Sequence, residues 1–170
     1  DVLDTARRLG YKSVNMDLIY GLPLQTTATF SATLQRTIDM SPDRIAVYNY
    51  AHLPQRFKPQ RRINEADLPS PQDKLDILQQ TIRLLTEAGY VYIGMDHFAK
   101  PDDELTIAME NGTLYRNFQG YSTHAGINLF ALGITGIAML SDTYMQNVKT
   151  LKEYYDLIDQ DKLPIYRGII

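Results

Sequence analysis

Asp17 is a carboxylate inside an otherwise apolar run, Val14-Asn15-Met16-Asp17-Leu18-Ile19-Tyr20. Strand alternation puts Asn15, Asp17 and Ile19 on one face and Met16, Leu18 and Tyr20 on the other. A carboxylate facing a core is costly unless it is paired or hydrogen-bonded. Asp17 therefore accepts hydrogen bonds from a ligand hydroxyl or ammonium, pairs with a Lys or Arg, or stands on a strand face open to water. By the same alternation Asn49 and Ala51 share a face at the end of a second run. A small Ala beside a polar Asn lets a flat ligand approach the backbone; tight packing is the favoured reading of the pair. Asp96-His97 closes a third run. One of the two points inward and the other toward the helical layer. A titratable His at such a rim orients a carboxylate or shuttles protons, or bonds a neighbouring carbonyl.

Other chemistry is less specific. Arg56, Lys58, Arg61 and Arg62 place four cations within seven residues, enough to receive an anionic substrate or simply to solvate a loop. Gly133-Ile134-Thr135-Gly136 lacks both the dinucleotide-fingerprint spacing and the basic residue that follows a phosphate loop. His52, His97 and His124 show no helical metal spacing, so no zinc site is expected. The sequence contains no cysteine. These residues therefore supply no disulfide, thiolate zinc site, cysteine nucleophile or iron–sulfur ligand. Twelve tyrosines without a tryptophan hint at a wet aromatic pocket, but tyrosines at strand ends are common.

The elements that must hold these groups alternate. A strand over 14–20, a Gly21-Leu22-Pro23 turn and a helix over about 29–40 form one unit. A strand over 44–51, a polar loop and a helix opened by Ser70-Pro71 and ended by Gly89 form the next. A strand over 90–98 and a helix near 102–111 form a third. Beyond these, 116–123 is polar and turn-rich, 128–139 reads as strand, turn and helix, and 148–160 as a last helix. Such alternation predicts parallel pairing and an α/β class, either part of a (β/α) barrel or an open sheet. Three or four strands do not close a barrel of eight.

With 170 residues the prior is one domain, and the length suffices for a sizeable core. Hydrophobic residues at 44% and charged residues at 22% exclude wholesale disorder. A net charge of −3 argues against a general nucleic-acid partner, and no run of about 18 apolar residues offers a membrane span. The opening residues read as a helix capped by Gly10, and the last residues, Gly168-Ile169-Ile170, are apolar. Both predict an excerpt of a longer protein.

Five stretches together resemble the oxygen-independent coproporphyrinogen III oxidases (dehydrogenases), radical S-adenosylmethionine (SAM) enzymes of haem biosynthesis. They are Asp17-Leu18-Ile19-Tyr20-Gly21-Leu22-Pro23, Tyr48-Asn49-Tyr50-Ala51-His52-Leu53-Pro54, Ala66-Asp67-Leu68-Pro69-Ser70-Pro71, Gly94-Met95-Asp96-His97-Phe98-Ala99 and Arg116-Asn117-Phe118-Gln119-Gly120-Tyr121. The first is shared across related radical SAM proteins; the last two are the most specific. The related haem-chaperone branch carries a different strand end and a His-Asn-x-x-Tyr-Trp loop, and neither occurs here. The alternative function is nevertheless a non-catalytic haem-binding relative of the same superfamily.

The resemblance implies that residues 1–170 are the second half, the C-terminal part, of a partial (β/α)₆ TIM-like radical SAM barrel. It implies oxidative decarboxylation of two propionates of coproporphyrinogen III to vinyl groups by a SAM-derived radical, giving protoporphyrinogen IX in the cytoplasm. It further implies two SAM molecules per enzyme, a reductant, and a 4Fe–4S cluster bound by a CxxxCxxC motif in an N-terminal part not included here. The fragment alone is then expected to be inactive. By position, Asp17, Ala51 and Ile137 match SAM contacts of the family. Asp96, His97, Gln119 and Tyr121 are candidates for the substrate side, and the basic loop for the propionates. No residue is assigned a catalytic role, and His124 is assigned none at all.

Overall fold

A computed structural model describes residues 2–118 and 120–170, which fall into two compact units, 1–114 and 115–170. The first unit begins with helix α1 (Val2–Arg8), strand β1 (Asn15–Tyr20), helix α2 (Thr27–Met40) and strand β2 (Arg44–Asn49). Two short 3₁₀ turns over 58–67 lead to helix α3 (Pro71–Glu87), then strands β3 (Val91–Gly94) and β4 (His97–Ala99) and helix α4 (Glu104–Glu110). The sheet order is β1-β2-β4-β3.

β1 and β2 pair in parallel across α2, with Asp17 opposite Ala46 and Ile19 opposite Tyr48. The third expected strand, over 90–98, is instead a hairpin. β3 turns at Met95-Asp96 and returns as β4, which inserts between β2 and β3 and runs antiparallel to both. The sheet is therefore mixed rather than wholly parallel, and four strands leave it open.

One face is closed by α2 and α3. Phe30 and Leu34 of α2, Ile77 and Leu85 of α3, and Ile45, Val47 and Phe98 of the sheet are all buried together. Each such side chain contributes roughly 1.5–3 kcal/mol by leaving water. α2 opens with a capping box between Thr26 and Thr29, and α3 with one between Ser70 and Asp73, Pro71 standing at its first position. Met16, Leu18 and Tyr20 face these helices. Asn15, Asp17 and Ile19 point to the other side and are exposed.

The second unit holds two antiparallel arrays. Strands β5 (Tyr115–Asn117) and β6 (Gly120–Ser122) form a hairpin where a loop was expected. Strands β7 (Ile137–Leu140), β8 (Thr143–Asn147) and β9 (Ile165–Ile169) form a sheet in that order, with helix α5 (Leu151–Ile158) between β8 and β9. Two expectations are corrected here. Residues 137–140 are strand rather than helix, and the C-terminal residues add a strand that the periodicity did not announce. The physical cause is a turn at Gly133, Ile134 and Thr135, where Gly133 (φ +86°) and Thr135 (φ +58°) are left-handed and stop a helix from running on.

Candidate functional site

The exposed face of the first unit's sheet carries Asp17. Asn15 Nδ2 donates to Asp17 Oδ1 at 2.6 Å, which orients the carboxylate and leaves its second oxygen available to a ligand donor. Ala46, opposite Asp17, is fully buried and small. Tyr48 follows two residues on, with its ring edge-on to the His97 imidazole at 6.1 Å. His97 Nδ1 lies 2.7 Å from Asp96 Oδ1. A carboxylate only accepts, so this contact puts a proton on Nδ1. Burial pushes the Tyr48 phenol above its ordinary value, and the Asp17 and Asp96 carboxylates push it further. The two carboxylates thus act on one hydroxyl and keep it a donor.

Asp96 and His97 occupy the β3–β4 turn and the first position of β4. They bond each other at the point where the chain reverses. Ala51 lies just past β2, exposed, and its carbonyl accepts from Gln60 Nε2 at 3.0 Å. Gln60 Oε1 also accepts from Leu53 N at 2.5 Å. The polar loop is thereby folded back beside Ala51. Asn49 and Ala51 do not lie on one strand. Asn49 stands opposite Tyr20 on the helix-covered side, and β2 has ended before Ala51. Arg56, Lys58, Arg61 and Arg62 are exposed, and none pairs with a carboxylate among the described residues. Tyr48 and Gln60 were missed by sequence reasoning, which did put Asn15 on the face of Asp17. Only the register of β1 against β2 could have brought Tyr48 near Asp17.

At the base of the same face, Arg44 Nε donates to Asp103 at 2.9 Å and Nη2 to Glu104 at 2.7 Å. Ser13 Oγ donates to Asp103 Oδ2 at 2.9 Å. This cluster ties the start of α4 to the N-terminal ends of β1 and β2. It is structural, and it lies at the opposite end of the strands from Asp96.

In the second unit, Ile137 is half-buried at the start of β7. It lines a cleft of about 200 Å³ with Phe118, Tyr144 and Arg167. Tyr121 is half-buried in β6, and Arg116 stacks over its ring at 5.6 Å. Gln119 lies outside the described residues. Among those described, no cluster of three His, Asp or Glu has the placement to hold a metal ion. No helix is long and apolar enough to cross a membrane.

No family model matches the sequence. The chain is 54% identical over 168 residues to the oxygen-independent coproporphyrinogen III oxidase of Escherichia coli (strain K12), covering 99% of this chain and 37% of that protein. It is 53% identical over 167 residues to the protein of the same name from Synechocystis sp., covering 98% of this chain and 36% of the relative. A solved structure, described as coproporphyrinogen III oxidase from Escherichia coli and as a radical SAM enzyme, superposes with a TM-score of 0.96 at 54% identity. That match covers 99% of this chain and 39% of the solved one. The chain therefore spans a little over a third of the length of these relatives.

Proposed function

We propose, from the premise that this chain is homologous to a segment of the oxygen-independent coproporphyrinogen III oxidases, which are radical SAM enzymes, that residues 1–170 form the C-terminal part of a partial (β/α)₆ catalytic barrel. The protein they belong to oxidatively decarboxylates two propionate side chains of coproporphyrinogen III to vinyl groups, giving protoporphyrinogen IX. The observation that carries the reading is the exposed sheet face on which Asp17, Tyr48, Asp96 and His97 act on one another.

SAM fits these residues in kind. Asp17 retains an acceptor oxygen on an open face, which suits a ribose hydroxyl or an ammonium. Ala51 offers backbone without a bulky side chain. Ile137 is a SAM contact by the resemblance alone; within its own unit it lines an apolar cleft beside Phe118. When bound, SAM together with a reduced 4Fe–4S cluster supplies the radical that abstracts hydrogen from the propionate. The cluster would be held by polypeptide other than these 170 residues, since they contain no cysteine.

The chain's own part is binding and positioning. Asp17 fixes the nucleoside through Asn15-directed geometry. Asp96 holds the His97 ring by its Nδ1 proton, which leaves Nε2 as an acceptor, while the Tyr48 hydroxyl beside it is a donor. Tyr121 and Gln119 are substrate-side candidates by the resemblance alone. The exposed basic loop attracts the propionates over long range.

Asp17 tests the reading. In the full-length protein, Asp17→Asn removes charge but keeps shape, so SAM affinity falls about tenfold or more while the circular dichroism spectrum is kept. Equilibrium dialysis with labelled SAM measures it, and unchanged affinity and turnover would remove the assigned role.

A further inference from the structure

A cleft of about 400 Å³ opens on the helix-covered side of the first unit's sheet, at the C-terminal ends of β1 and β2. Tyr20, Asn49 and Lys74 line it together with Pro69, Leu75 and Leu78. It is separated by the sheet from the face that carries Asp17.

Three polar groups meet there without partners. Tyr20 is only 6% exposed, yet its hydroxyl has no hydrogen-bond partner among the described residues. No fully enclosed side-chain oxygen or nitrogen among them goes unbonded, so this hydroxyl must reach solvent, and the cleft is the opening that the residue lines. Lys74 makes no ion pair among the described residues. The carboxylate next to it in sequence, Asp73, is already engaged by Ser70 N at 3.0 Å and Ser70 Oγ at 2.6 Å. The Asn49 amide is likewise without a hydrogen-bond partner among the described residues.

Gly21 lets these groups converge. Its φ of +85° suits glycine, and a Cβ there would stand 3.0 Å from Lys74 Cε and 3.2 Å from Asn49 Oδ1. Both side chains therefore lean over the same bare stretch of backbone. Burial raises the Tyr20 pKa, with the Asp96 carboxylate and Tyr92 adding to it, so the phenol stays protonated and donates. An ammonium, an amide and a phenol make one positive charge with several donors. Beside them Pro69, Leu75 and Leu78 make an apolar wall. That combination complements a monoanion on an aliphatic body better than a strongly hydrated dianion.

We propose that this cleft binds a small aliphatic carboxylate, its head group held by Lys74, Asn49 and Tyr20 and its chain laid on Pro69, Leu75 and Leu78. The site does not rest on the SAM reading, because it uses none of the residues assigned to SAM.

Hexanoate and acetate titrated into the full-length protein, followed by saturation-transfer NMR, test it. Hexanoate binds saturably and several-fold more tightly than acetate, because its extra methylenes are partly buried. Lys74→Gln weakens hexanoate binding about tenfold, Lys74→Arg retains most of it, and Lys12→Gln on a distant exposed side chain leaves it unchanged. Lys74 is only half-buried and its backbone stays helical in either variant, so the fold is kept. Absence of saturation, equal affinity for the two acids, or equal losses in Lys74→Gln and Lys12→Gln would overturn the site.

Discussion

Asp103 shows what a single charged residue carries. It is 7% exposed, caps α4 by accepting from Leu105 N at 2.9 Å, and accepts from both Ser13 and Arg44. Burial works against the Arg44 charge, but the hydrogen bonds to Asp103 and Glu104 outweigh it and raise its pKa. Asp103→Ala leaves a partly buried guanidinium and an uncapped helix, and it lowers stability by about 3 kcal/mol in urea unfolding. Glu104 is far more exposed, so Glu104→Ala costs less than about 1 kcal/mol in the same assay. At this scale the sequence was partly legible. Alternation placed Asp17 on the face opposite Met16, Leu18 and Tyr20, and that is where it stands. The surroundings of Asp17 were half legible. Alternation put Asn15 on its face, but Tyr48 comes near through strand register, which one run of residues does not encode.

At the scale of elements, the helices announced themselves and the hairpins did not. Ser70-Pro71 with Asp73 three residues after the serine marks the start of α3, and all three side chains or rings serve the cap. Ser70→Ala removes that reciprocal pair, and the protein loses about 1 kcal/mol, read as a lower denaturation midpoint at unchanged slope. The β3–β4 and β7–β8 hairpins turn at Met95-Asp96 and Ser141-Asp142. In each the first turn residue is left-handed, Met95 at φ +52° and Ser141 at φ +54°. Two-residue hairpins ordinarily signal such a position with glycine or asparagine. Without that signal, residues 90–98 read as one strand, and Ile137-Ala138-Met139-Leu140, rich in good helix formers, read as helix.

At the scale of the whole molecule, the α/β class was legible because β1, α2, β2 and α3 follow the periodicities that define it. The mixed sheet was not, since β4 enters it by a turn rather than by a crossover. Tyrosine burial gives the protein a shared response to alkali. Tyr90 donates to Pro42 O at 2.7 Å. Burial, with Asp43 adding, raises its pKa above the ordinary value, and Tyr20 and Tyr48 are raised as well. A raised folded pKa means that the native state holds its proton after the unfolded chain begins to release it. The stabilisation is present in full below about pH 10 and is lost as pH climbs from there through the folded values. Tyr90→Phe makes the decline shallower in urea midpoints collected between about pH 9 and 11.

β1 has a ladder partner on one side only among the described residues. Its outer backbone edge can template another strand, and its alternating side chains set the phase of whatever pairs there. β1 itself is held in phase on β2, because its own slip by one residue would drive the Asp17 carboxylate beneath Phe30 and Leu34 and strand Met16 and Leu18 in water. That double penalty makes the edge a ruler, against which a neighbouring strand is measured as it docks.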